Sequence, residues 1–440
     1  MSLLLWLAIG CGGESGGESS EGNEAVELLV EGGQSPSAER EIPAGVDVKV
    51  DGSSVGSTSQ GALPPIVLPK RQARTPYPVV ADGKIEAALR ALKKLVAQET
   101  SDPDNPWAIA HGLLAIGQEH VLSTGESAVD ALFARYAVGA EREGLPVIAF
   151  PARGKSSDGK TIAVEPHTDM MMKVLAEIGV RLDTSVQVEG HPHQIGELYY
   201  DTVLSTYLDA AKNKSSYSTP NDMPWGLQAI ATYAPVDANW EAQGLSMTLN
   251  GLTTFLVRVL TKESEALFMQ MRQNQPFRKD NRGVFSYTCG GAHLLQGSAY
   301  LVGKGFGQSS DLKLVQAQVP LLFWRFPREL ALYDRAIEQL PKQKLVIKVQ
   351  QLKFVGHWLE SINKMAAMQI FEPNDAQRAA MSEAILVLVE TAKDLKKLGA
   401  FDNLEVLRKG NEQLYLDIVG DSAHAVRGLE LALGRATIAY

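Results

Sequence analysis

The sequence predicts an all-α domain of antiparallel helical hairpins, arranged as a solenoid or a closed ring, with one small β-hairpin inserted. Two observations predict it. After Ala81, apolar residues recur at helical spacing almost without interruption. A dozen such segments follow one another with short connections, the pattern of stacked hairpins. The 440 residues are 45% hydrophobic and 21% charged, an ordinary balance for a chain that buries a core without a disulfide framework.

The first helix is read at Ile85–Val96, where Ile85, Leu89, Leu92 and Val96 form one stripe. Helical segments follow at 106–120, 126–140, 169–179, 194–211, 224–233 and 247–273. Beyond Cys289 they continue at 290–302, 312–339, 355–371, 376–398, 404–418 and 422–433. Pro106 and Pro224 suit first-turn positions, Ser422 suits a cap, and Thr168 or Asp169 suits another. The strand pair is read as 146–150 with 161–164, because Asp158-Gly159 is a hairpin turn signal. Met170, Met171 and Met172 are read as adaptable core filler.

Upstream of Ala81 the composition changes. Residues 1–11 are a short apolar run, too short to span a bilayer and suited to the core of an export signal. Ala8-Ile9-Gly10-Cys11 resembles the lipobox of bacterial lipoproteins. The resemblance implies a signal peptide, acylation of Cys11, and a place in the cell envelope. Because Gly12 is not an aspartate, it also implies the outer membrane. Residues 12–80 are then an acidic Gly/Ser/Glu-rich tether, flexible and extended by self-repulsion, with a short strand conceivable at 45–51. Between Gly12 and Glu41, eight glutamates face one arginine, a net charge of about −7 out of −9 for the chain. The domain at 81–440 is therefore nearly neutral and has no basic field for nucleic acid.

Asn105-Pro-Trp107 and Met223-Pro-Trp225 each open an Ala-rich helix, and Cys289-Gly-Gly-Ala-His293 has a similar build. Gly356-His-Trp-Leu-Glu360 and Asp421-Ser-Ala-His424 again put a histidine at a helix opening. These openings resemble the inner helices of α/α-toroid proteins, the terpenoid-cyclase-like and prenyltransferase-like class. The resemblance implies inner helices whose first turns line a central cavity and hold the ligand there.

Cys289 and His293, at i and i+4, would share a helix face and supply part of a zinc shell. His357 and Glu360, at i and i+3, are a second candidate pair, and His111 a further donor. Cys289 is otherwise a buried, inert thiol or a nucleophile. His167 with Asp169 is the candidate acid–base pair, the carboxylate fixing the imidazole tautomer. His191-Pro-His193 is a turn able to chelate metal, while His120 and His424 are read as structural. Trp107, Trp225, Trp240, Trp324 and Trp358 are read as packing between hairpins before stacking on sugars. No Gly-x-Ser-x-Gly, P-loop or dinucleotide fingerprint is present, and the Asp-rich cyclase motif is absent.

Two functions follow. One is an envelope lipoprotein that binds a small molecule, a glycan or an envelope protein without chemistry. The other is a toroid enzyme of the hydrolase or lyase class, using zinc at Cys289, His293, His357 and Glu360 or an acid–base set of His167, Asp169 and His111. Convergence of His111, Cys289, His293 and His357 on one cavity favours the enzyme; dispersal in separate layers eliminates zinc. For the anchor, Cys11→Ala is expected to move the protein from the detergent phase to the aqueous phase on partition, and unchanged partition would refute acylation.

Overall fold

Helix starts in this chain are set by side chains that accept from free backbone N–H groups. Asp82 Oδ1 accepts from Lys84 N and Ile85 N, Asn105 from Ala108 N, Thr248 from Gly251 N, and Asn411 from Leu414 N. The computed structural model describes residues 63–69, 72–212, 214–217, 219–402 and 404–439. Cys11, most of the tether and the strand considered at 45–51 lie outside them. Among the described residues the chain is mostly helical, and no helix is long and apolar enough to cross a membrane.

Fourteen helices are described: α1 (Gly83–Glu99), α2 (Pro106–Ile116), α3 (Ala128–Tyr136), α4 (Met170–Glu177), α5 (Ile195–Ser205), α6 (Met223–Tyr233) and α7 (Leu249–Glu263). There follow α8 (Glu265–Arg272), α9 (Ala292–Gly303), α10 (Ser309–Gln339), α11 (Lys344–Ala367), α12 (Asp375–Lys397), α13 (Leu404–Gly410) and α14 (Glu412–Ala432). Helix α2 packs on α4, α4 on α6, α6 on α9, α9 on α11, α11 on α14, and α14 again on α2. Helices α1, α3, α5, α7, α10 and α12 lie against these six. Met170, Met171 and Met172 are buried core residues.

The β content differs from the expectation of one hairpin. Six two-stranded antiparallel pairs are described. Leu145–Ala149 pairs with Val138–Arg142, not with 161–164, and Thr161–Ala163 pairs with Arg153–Lys155. Ser185–Val188 pairs with His191–Gln194, and Asn239–Ala242 with Leu245–Thr248. Three hairpins turn at Glu143-Gly144, Glu189-Gly190 and Gln243-Gly244, with positive φ at both residues of each. Two such residues give the turn whose twist matches the flanking strands. Val138–Arg142 shortens the helix expected at 126–140, and the one expected at 247–273 starts at Leu249 and divides at Ser264.

Two other boundaries move the opposite way. Helix α11 begins well before Val355, and α14 runs unbroken through Gly420 and Ser422. Ser422 is fully buried within the helix and caps nothing. Gly420 sits within the helix where the Trp107 ring packs, and a Cβ there would lie 3.0 Å from that ring.

Ahead of Ala81, Gln72–Ala73 pairs with Ile438–Ala439, Val67 N donates to Tyr233 O, and Val79 N donates to Ala432 O. Thr75 is buried, and its hydroxyl donates to Asn363 Oδ1.

Helices α11 and α14 make the most extensive contact, and a tight one. A Cβ on Gly356 would lie 3.1 Å from Ala425 Cα, and one on Gly428 would lie 2.9 Å from Gly356 O. Gly428→Ala is therefore expected to lower Tm by several degrees, since overpacking of about 1–3 kcal/mol outweighs the gain of about 1 kcal/mol in helix propensity. Gly83→Ala, where a Cβ meets nothing within 4 Å, should leave Tm unchanged or higher. Equal thermal melts for the two variants would refute the tight contact.

Candidate metal centre

The first turns of α2, α6 and α9 and the middles of α11 and α14 open on one cavity of about 440 Å³. His111, His167, Trp107, Trp225, Cys289, His293, His357 and His424 all line it. Thus His111, Cys289, His293 and His357 do converge.

Within the cavity His293, His357 and His424 draw closest, each offering a ring nitrogen within 4.8 Å of the others. Ring centroids are 5.2 Å apart for His293–His357, 5.4 Å for His293–His424 and 4.0 Å for His357–His424. Three imidazoles on a tetrahedral ion would have centroids about 5 Å apart, given metal–nitrogen bonds of about 2 Å. Two of the three separations match that spacing, and the third pair is tighter.

The cluster is built by cross-pairing. His357-x-x-Glu360 on α11 faces Asp421-x-x-His424 on α14, and partners keep a constant offset of 64 residues. Glu360 Oε2 accepts from His424 Nδ1 at 2.8 Å, and Asp421 Oδ1 lies 4.0 Å from His357 Nε2. Lys353 and Asp417 continue the same register at 3.1 Å, so the two helices run parallel. A carboxylate behind a ligating imidazole fixes its orientation and raises its basicity.

Glu360 is completely buried. Burial alone would raise its carboxyl, but the Lys364 ammonium 2.7 Å away and the His424 ring more than reverse this and hold it well below the usual range. Lys364 also pairs with Glu177, which pairs in turn with Lys173 at 2.7 Å. This buried ionic column backs the cavity.

Burial, then the neighbouring histidines, push His293 and His357 well below the usual imidazole range. Both are neutral at pH 7 and able to ligate. His293 Nε2 and His357 Nδ1 are buried without a hydrogen-bond partner. Leaving such groups unsatisfied costs roughly 1–3 kcal/mol each, and a metal ion would satisfy both. The donor set therefore fits a metal.

The other expected site residues are placed differently. Gly290 and Gly291 both have positive φ, so α9 begins only at Ala292 and Cys289 is not on it. The Cys289 Sγ lies 3.6 Å from Asn221 Oδ1 and outside the histidine cluster. Burial raises its pKa, and the N–H groups of His293, Gly291 and Ala292 only partly offset this. Glu360 supports His424 and is outside the donor cluster. His424, read as structural from sequence, is a member.

His111 Nδ1–H donates to Trp107 O at 2.8 Å, and burial, then His424, push its pKa down to about 3. Its ring packs against Trp107 at 4.1 Å, tilted by 40°. His167 meets Asp222 rather than Asp169. Asp169 has φ 62° and makes no cap; its Oδ1 accepts from Thr202. His120 is structural, held at Thr100, and His193 pairs with Glu197 in a hairpin away from the cavity. Trp240 and Trp358 are core residues.

Compared with protein families, with curated proteins and with solved structures, the chain shows no match.

Asp169 carries a pH signature. Burial, then Asp201, raise its carboxyl to about 7. A raised acid favours the folded state fully below its ordinary value near 4, and that contribution is lost as pH climbs through 7. Asp169→Asn should therefore gain stability over wild type between pH 4 and 8, by on the order of 4 kcal/mol at most. Urea unfolding at both pH values checks this; a pH-independent difference would refute it.

Proposed function

We propose that this chain is a metal-dependent enzyme of the hydrolase or lyase class, acting in the cavity of an α/α toroid and tethered to the bacterial envelope through Cys11. The observation that carries the enzymatic reading is the convergence of His293, His357 and His424 with two ring nitrogens left without partners. The closed cycle of contacts through α2, α4, α6, α9, α11 and α14 supports the toroid. The lipobox at Ala8–Cys11 supports the anchor.

His293, His357 and His424 would hold the ion, with Glu360 orienting His424 through its hydrogen bond to Nδ1. Zinc suits three imidazole donors with an open fourth position, where it would acidify a bound water or polarise a substrate oxygen. His357 and His424 are buried at the inner end of the cavity, whereas His167 at its outer part is exposed to solvent. Trp107 and Trp225 do not support a sugar platform, because histidine rings already pack against both. The alternative is a protein that holds a ligand or envelope partner in the same cavity without chemistry, and it requires no metal.

Elemental analysis of the full chain after zinc loading separates the two. One zinc per chain is expected. His424→Ala should lose it, and Glu360→Gln should weaken binding by 10–100-fold, while Cys289→Ala retains full occupancy. A wild-type chain that takes up no metal, or a His424→Ala chain that binds as tightly as wild type, would overturn the proposal.

A further inference from the structure

His167 stands outside the three-histidine cluster, yet it opens on the same cavity. It precedes α4, and Asp222 precedes α6, so the packing of those two helices brings the pair together. His167 Nδ1 lies 3.1 Å from Asp222 Oδ1. The Asp222 side chain is 4% exposed and that of His167 is 42% exposed. With the carboxylate oxygen accepting, the ring Nδ1–H is the donor and Nε2 keeps its lone pair.

Trp225 fixes where that lone pair is presented. Its indole packs against His167 at 5.1 Å and 33°, and meets His293 edge-on at 4.7 Å. A single indole therefore separates His167 from the metal-ligand cluster.

We propose that His167 and Asp222 form the acid–base dyad of this cavity, a reading that rests on the cavity being catalytic. His167 Nε2 accepts the proton of a water or hydroxyl as its oxygen bonds to an electrophilic carbon. The same proton passes from Nε2 to the leaving oxygen or nitrogen as its bond to that carbon breaks. Between those events the imidazolium keeps Nδ1–H on Asp222, whose charge balances it. Asp222 is a positioning residue and touches no substrate. The pairing of His167 with Asp169 expected from sequence is replaced by one spanning two helix openings.

Two measurements on the full chain test this. The first is carbethoxylation by diethyl pyrocarbonate, mapped by peptide mass, with exposed His191 as internal reference. His167 should react faster than His191 in wild type and at least about tenfold slower in Asp222→Asn, with the His191 rate unchanged. An unaltered His167 rate in Asp222→Asn would overturn the dyad.

The second uses 4-nitrophenyl acetate with the zinc-loaded chain. His167→Gln should lower kcat about 100-fold while KM and zinc content stay at wild-type values. An unchanged kcat would overturn the proton-transfer role. No turnover by zinc-loaded wild type would count against the metal-dependent reading itself, and the carbethoxylation rates would still decide the dyad.

Discussion

Everything at the site depends on how closely α11 and α14 approach. Two parallel helices with side chains between them stand roughly 8–10 Å apart. Gly356, Ala425 and Gly428 remove most of that padding, and their backbones come into direct contact. His357 follows Gly356 and His424 precedes Ala425, so the contact that joins the helices also brings their imidazoles together. Glu360 and Asp421 are then carried into place by the same register. Neither helix could tilt or slide without parting His424 from Glu360.

That arrangement has an electrostatic cost which the chain meets internally. Lys173, Glu177, Glu360 and Lys364 are all nearly inaccessible to water, and each lies within ion-pair distance of an opposite charge. Removing one member would leave its partner buried and uncompensated, a more damaging loss than the pair's net contribution to stability. Gln296 and Ser361 extend the column by hydrogen bonds, so the polar interior is tied to α9 as well. The cavity floor is thus stiff, while the residues lining its outer part, including His167, retain access to solvent.

The helical character was legible because buried stripes repeat at 3.6-residue spacing, as Ile85, Leu89, Leu92 and Val96 do. Three hairpins were not, because Glu143, Glu189 and Gln243 stand where Asn or Asp ordinarily signals such a turn. The signal available was Gly at the second position, flanked by short alternating segments. Ser422 looked like a cap because its burial against neighbouring helices leaves no mark in local sequence. At the site, His293 and His357 were found by spacing, but His424 was missed. Its signal was Asp421-x-x-His424, the reverse of His357-x-x-Glu360, which acquires meaning only once the two helices are known to lie side by side. Cys289 misled for a local reason: two left-handed glycines turn the chain before the helix begins, so helical spacing does not apply to it.

The described chain begins at the far side of the molecule from the cavity mouth. Val67 bonds to the last residue of α6, Val79 to the last residue of α14, and Gln72–Ala73 to the strand after it. The cavity is lined instead by the starts of α2, α6 and α9. The molecule therefore has a back and a front. A chain held from its N-terminal side is attached at the helix ends of its back. Its cavity opens at the other end of the helices, so whatever enters need not pass the point of attachment.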